Sequence, residues 1–332
     1  MGLRKITSMI LAGIVLVVIP ITIAEPTAIS SAEYEQGLFG GASIDVSNTT
    51  SASTEVTMSS MPNIAEVFTA TWCENCVPAE EGLMLAIGDS GEETVVLAFH
   101  RAIAEAEDPF GVESAENRWA ERYGQASLNA VGLKAAPPST VINGELLHAG
   151  SGGLEGDALK PIYAQSLSTP SHFSDKVATS SLSWSSEDMI NGTITWDLEA
   201  SDWLPDSTNS LIFVVEASAT FEEGSNGLGD YHDVVRDMIE LEGNNGSITY
   251  TLPSAWDGED LAMVLVHQWD LDVEIACCDV SPEDDGLLGL PSIGLLWVVF
   301  GLVGAAILSS QRVNSVKVAS SNSGITLESL DE

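Results

Sequence analysis

Basic residues are what this chain has least of. Eleven Lys and Arg stand against 49 Asp and Glu in 332 residues, a formal net charge of −38. Phosphate recognition needs clustered Lys and Arg, so nucleic acid is excluded as a partner. The bland account of such acidity is solubility in salty surroundings, where screening limits self-repulsion. Cysteine is also sparse: Cys73, Cys76, Cys277 and Cys278 are the only four. That is too few for a disulfide-stapled scaffold. No Asp-x-Asp-x-Asp-Gly loop occurs, so the acidity does not argue for calcium. Internal repeats are lacking too.

Long apolar runs occur only near the two ends. Arg4 and Lys5 precede a run from about Met9 to Ile23, the charged and apolar parts of a secretory signal. Ser30-Ser31-Ala32 offers small residues for cleavage before Glu33, so residues 1–32 read as a signal peptide. An uncleaved anchor over Ile6 to Ala24 is the alternative. Leu287 to Leu308 carries no charge and as a helix would extend about 33 Å, enough to cross a bilayer. Arg312 and Lys317 follow it, which places the 309–332 tail in the cytoplasm and residues 33–286 outside. The expected location is the cell membrane, single-pass, with extracytoplasmic domains.

Between these runs the texture changes twice. Residues 33–61 are Gly, Ser and Thr rich and read as a linker. Residues 62–168 alternate strand and helix patterns: a strand over Thr94 to His100, helices over Val112 to Tyr123 and Leu154 to Leu167, and a hairpin turning at Asn143-Gly144. That sums to a small α/β domain. Residues 169–281 carry six strand-like runs, the last being Val273 to Val280, with Tyr231 to Leu241 read as one short helix. Their spacing predicts an antiparallel β-sandwich. Asn48-Thr49-Thr50, Asn191-Gly192-Thr193 and Asn245-Gly246-Ser247 fit the glycosylation triplet, a pattern common by chance.

The motif with most chemistry is Trp72-Cys73-Glu74-Asn75-Cys76, between a strand pattern (Ile64 to Thr69) and a helix pattern (Val77 to Ile87). A first sulfur at a helix N-terminus is favoured as thiolate by free N–H groups and the helix dipole. A second sulfur one turn on is within its reach. Such a pair is also half of many zinc sites, but Cys277 and Cys278 lie about 200 residues away, and of the histidines only His100 is a spatial candidate.

Together with Ala136-Pro137-Pro138-Ser139-Thr140-Val141-Ile142-Asn143-Gly144, the dithiol segment resembles the thioredoxin superfamily. The match spans about residues 62–168. The stretch Arg101 to Leu133 and the segment Tyr231-His232-Asp233-Val234-Val235-Arg236 resemble exported thioredoxin-like proteins of the outer membrane protein twenty-eight related type. The resemblance implies an α/β thioredoxin-like domain paired with a C-terminal β-rich domain. With the strand spacing and the apolar run above, the expected fold is an α/β thioredoxin-like domain followed by an antiparallel β-sandwich domain and a C-terminal transmembrane helix. It also implies thiol–disulfide exchange with Cys73 attacking, Cys76 resolving, Trp72 packing beside the sulfurs and a cis Pro138 facing them. No cofactor beyond the Cys73–Cys76 disulfide is implied. The expected partners are exported proteins with thiols or disulfides, the membrane through the C-terminal helix, and an electron donor or acceptor that the sequence does not reveal.

Three departures from that family stand out. Glu74 places a carboxylate beside Cys73, which disfavours the thiolate and points to a couple on the reducing side. Val67 sits where the family carries a buried acid, with Glu66 aimed at the other face of the strand; His100 or water would then move the proton of Cys76, although a satisfied structural histidine is the plainer reading. Pro137 has no N–H to offer a bound substrate strand. Cys277 and Cys278 read either as small buried residues or as an electron-trading partner of the dithiol. A rival to the enzyme is a non-enzymatic cell-surface binding module with a structural disulfide.

Overall fold

Runs of β-branched and aromatic residues set most of the strands, and the partner of each run decides which of its faces are buried. In the computed structural model the described residues are 28–30, 36–102 and 108–271. In chain order they form β1 (Ala28–Ser30), β2 (Gln36–Asp45), β3 (Ser51–Thr57), β4 (Asn63–Thr69), α1 (Cys76–Ser90), β5 (Thr94–His100), α2 (Glu113–Val131), β6 (Ser139–Ile142) and β7 (Leu146–Ala149). These are followed by α3 (Gly156–Leu167), β8 (Ala178–Ser186), β9 (Asn191–Ala200), β10 (Asn209–Thr220), β11 (Asp230–Leu241), β12 (Asn245–Thr251) and β13 (Leu261–Asp270).

Nine strands make one mixed sheet in the order β1-β7-β6-β4-β5-β11-β10-β13-β2, and four make a second, β12-β9-β8-β3. Helices α1 and α3 cover one face of the first sheet, burying Leu83, Ala86, Leu159 and Tyr163 against Ala65, Val67 and Ile142. They touch at Gly82, where a Cβ would stand 2.7 Å from that of Leu159. Helix α2 covers the other face, its Trp119 stacked on Phe68 at 5.0 Å and meeting Tyr123 edge-on at 5.0 Å. Strand β10 is buried on both sides: Leu211, Phe213 and Val215 join the Trp119 core. Ile212 and Val214 instead pack with Trp184 and Trp196 of the second sheet. A strand covered on both faces reads as a continuous apolar run rather than an alternation.

The expected α/β thioredoxin-like domain followed by a separate antiparallel β-sandwich is overturned. The described chain is mainly β, and its two halves share one sheet, because β5 pairs in parallel with β11. Phe68, Phe99 and Trp119 share one core with Phe213, Val235 and Val266, so no apolar boundary separates the halves. Two local misreadings underlie the error. The Gly- and Ser-rich stretch read as linker contains β2, whose Leu38, Phe39, Ala42 and Ile44 are buried and which pairs with β13. The stretch read as a helix over Tyr231 to Leu241 is β11, held antiparallel to β10; its paired valines suit a strand.

Among the described residues no helix is long and apolar enough to cross a membrane. The transmembrane helix expected over 287–308 lies outside those residues, as do the 309–332 tail, the Val273 to Val280 strand, Cys277 and Cys278. Residues 1–27, expected within the signal peptide, lie outside them too. The expected hairpin at Asn143-Gly144 is present between β6 and β7, with a three-residue loop, Asn143 to Glu145, whose first two residues sit at positive φ (52° and 66°), a conformation that Asn and Gly tolerate best.

Candidate functional site

Strand β4 delivers the chain to the dithiol. After Thr69 the backbone turns twice: Cys73 N–H donates to Ala70 O (3.0 Å) and Cys76 N–H donates to Cys73 O (3.1 Å). Helix α1 therefore starts at Cys76, three residues later than a helix carrying Cys73 at its N-terminus would. The sulfurs are joined as a disulfide, S–S 2.03 Å. Both cysteines are buried, Cys73 at 6% exposed and Cys76 at 0%, so what little solvent access the pair has is through the first. Trp72 packs on Ala70, Cys73 and Cys76, while Glu74 and Asn75 are exposed.

The proline loop shares a groove with Asn75 of the dithiol turn and has a cis bond between Pro137 and Pro138. Pro138 O accepts from Gly150 N–H (2.8 Å), tying this loop to the glycine turn after β7. Asn75, Val131, Pro137, Pro138 and Gly150 to Gly153 line a groove of about 270 Å³. Cys73, Cys76, Trp72 and Pro138 are thus the sequence-derived residues, and Asn75 carries the dithiol turn into the groove that Pro138 lines.

The strand end before the dithiol is held by Asp108, Asn226 and Tyr231, to which the sequence assigned no role, together with His100, which it did name. Asp108 Oδ2 accepts from Thr71 N–H (2.7 Å) and faces His100 Nδ1 (3.1 Å), while Oδ1 accepts from Phe110 N–H (3.0 Å). Burial pushes the Asp108 carboxyl up, but His100 and the two backbone N–H groups outweigh it and hold the pKa below the ordinary value. From the other side, the loop between β10 and β11 grips the same turn. Asn226 N–H donates to Thr71 O (3.1 Å), its side-chain amide donates to Ala70 O (3.3 Å), and Tyr231 OH donates to Asn226 Oδ1 (2.9 Å). Tyr231 also meets His100 edge-on at 5.5 Å. These partners come from segments far along the chain; Asp108 falls in the Arg101 to Leu133 stretch and Tyr231 in the Tyr231 to Arg236 segment that carry the resemblance, whereas nothing marked Asn226.

Val67 faces α1 and α3 in the core, and no carboxyl occupies its position. Glu66 lies on the opposite face, buried, accepting from Arg118 Nη1 (2.6 Å) and from Tyr123 OH. The acid on the dithiol side is instead Glu80, four residues after Cys76 on α1, hydrogen-bonded by Thr69 Oγ1. Burial raises its pKa, opposed by the Thr69 hydroxyl, His100 and His232. Thr69 and His100 share the α1 face of the sheet with Val67 and Ala98. Among the described residues no three His, Cys, Asp or Glu side chains are grouped to hold a metal ion.

No family model and no curated protein matches the chain. Solved structures do. One is HBP35 of Porphyromonas gingivalis, at 17% identity over 70% of this chain and 80% of that one, with a TM-score of 0.39. Another is a protein from Agrobacterium tumefaciens, at 16% identity over 57% of this chain and 78% of that one, with a TM-score of 0.35.

Proposed function

We propose that Cys73–Cys76 is a redox-active disulfide that exchanges with thiols and disulfides of proteins outside the cytoplasm, where oxidised pairs persist. The observation that carries this reading is the asymmetry of the pair: Cys73 keeps 6% of its surface exposed while Cys76 is wholly buried. In the reducing direction the Cys73 thiolate attacks a substrate disulfide. A Cys73–substrate S–S bond forms, the substrate S–S bond breaks, and the released substrate sulfur leaves as thiolate. Cys76, losing its proton, then attacks Cys73 Sγ, re-forming Cys73–Cys76 and expelling the second substrate thiol. Two electrons pass to the substrate, and an external dithiol must restore the reduced pair. Glu80, on the helix face of Cys76 one turn on, is the group we assign to accept the Cys76 proton. Glu74 biases the couple toward reduction.

The rival is a structural disulfide in a binding module. It draws on the same 6% exposure of Cys73 and on the clamps from Asp108 and Asn226. A redox titration of the full chain in glutathione buffers separates the two, with thiols trapped by alkylation and read by mass spectrometry. Reversible interconversion at a potential between about −120 and −270 mV, the span of known exchange catalysts, supports the enzyme. A pair that opens only where the protein unfolds removes it in favour of the structural disulfide.

A further inference from the structure

The nine-stranded sheet has a seam. Strand β5 pairs with β4 over seven residues, yet meets β11 through a single parallel pair, Val234 opposite Ala98. Before that pair β11 departs from strand geometry: Asp233 sits in the left-handed region at φ 55°, a conformation aspartate tolerates better than most residues. The splayed strands leave a cavity of about 510 Å³ beneath α1, within the size range of small-ligand sites.

Its walls have two chemistries. Val67, Val77, Leu83, Val96 and Leu228 supply an apolar lining. Glu80, Glu81, Asp230 and Asp233 supply carboxyls, and the lining contains no Lys or Arg, only the exposed His232. Glu81 and Asp230 are exposed, but Glu80 and Asp233 are partly withdrawn from water with no Lys or Arg in the lining: burial pushes Asp233 up to about 6, with His232 opposing, and raises Glu80. An anion would be repelled here, and a neutral apolar molecule would leave the carboxyls facing it. A chain with an aliphatic body and a cationic end satisfies both walls.

We propose that this cavity binds a linear aliphatic chain ending in a protonated amine, the chemistry shared by a lysine side chain of a substrate protein and a free alkylamine. The site opens beside Val77 and Glu80, next to Cys76 in sequence and one helical turn on. Its role in choosing substrates rests on the thiol-exchange reading; the binding itself does not.

The test is calorimetric titration of the oxidised full chain with n-hexylammonium, with hexanoate and hexanol as controls. Saturable binding of hexylammonium, at least tenfold tighter than either control, is expected. The double variant Asp230→Asn/Asp233→Asn should weaken it at least tenfold while its unfolding transition stays cooperative. Val96→Phe, which fills the cavity without altering charge, should abolish it. Equal binding of hexylammonium and hexanoate, no saturable binding, or affinity unchanged in the double variant overturns the proposal. Competition by a lysine-containing peptide, but not by its acetyl-lysine counterpart, assigns the occupant to a protein side chain; competition by neither assigns it to a free amine. No turnover is needed, so a failed titration here leaves thiol exchange standing, and a failed redox titration leaves the cavity standing.

Discussion

Replacing Asp108 by alanine removes the acceptor of three hydrogen bonds at a fully buried carboxylate, whose side chain is 0% exposed. Hydrogen bonds to a charged group contribute about 1.5–3 kcal/mol each, but they are not additive. The larger effect is the stranding of buried Thr71 and Phe110 N–H groups and of His100. Breaking a buried charged pair from one side costs about 3–5 kcal/mol, and that is the loss expected for Asp108→Ala. Asp108→Asn keeps the shape and one acceptor oxygen; with that oxygen toward Thr71 and His100 only the Phe110 contact is lost, about 1–2 kcal/mol.

Urea unfolding of the oxidised chain reads both values, and in a domain of this size each kcal/mol moves Tm by about 2–4 °C. The pH dependence is a second reading. The Asp108 pKa lies below its ordinary value. Its contribution is therefore present above the unfolded value of about 3.8 and lost as pH falls through the folded one. The gap between wild type and Asp108→Ala should narrow in acid. A loss under about 0.5 kcal/mol at pH 7, or a gap indifferent to acid, would refute the reasoning.

Three further outcomes are expected. Pro137→Ala restores an N–H in the groove beside Asn75, so Cys76→Ser should trap more mixed disulfide with it than without it; equal trapping counts against a gripping role. Glu80→Gln should slow resolution of the mixed disulfide about tenfold or more, the low side of general-base contributions, and remove a carboxyl inflection from its pH–rate profile; an unchanged profile sends the proton elsewhere. His148 is held down to about 4 by burial, donating to or accepting from Ser166 Oγ at 2.9 Å. A depressed folded value means stability that is full above about pH 6.5 and lost as pH falls toward 4, about 3 kcal/mol in all. His148→Gln should lose correspondingly less between pH 7 and 4.5 in urea titrations, and an equal loss would exclude this histidine as the cause.

The dithiol, its strand and helix, the proline loop and the Asn143-Gly144 hairpin were legible because each is written in contiguous residues with local geometry. Helix α2, by contrast, runs eight residues beyond the expected Tyr123, to Val131, where the αL residue Gly132 caps it. Strand β2 was not legible, since its small residues fit a linker by composition, and only pairing with β13 buries Leu38 and Ile44. Strand β11 carries charges at Asp233, Arg236 and Asp237 that blur its alternation; the partner β10 and a register break at Val214/Val215 accommodate them.

What the sequence by itself determined is the chemistry at hand: two thiols three residues apart, a carboxylate between them, a proline without an N–H, and too little positive charge for nucleic acid. What only the tertiary structure decided is the company those groups keep. Asp108 and the Asn226 to Tyr231 stretch reach one turn from two distant segments, and Glu80 is hydrogen-bonded by Thr69 at the end of the strand on which Val67 is apolar. Hydrogen bonds and desolvation act over a few ångströms in space and are blind to separation along the chain. A local pattern can therefore name a pair of thiols, but only the folded sheet can say what surrounds and holds them.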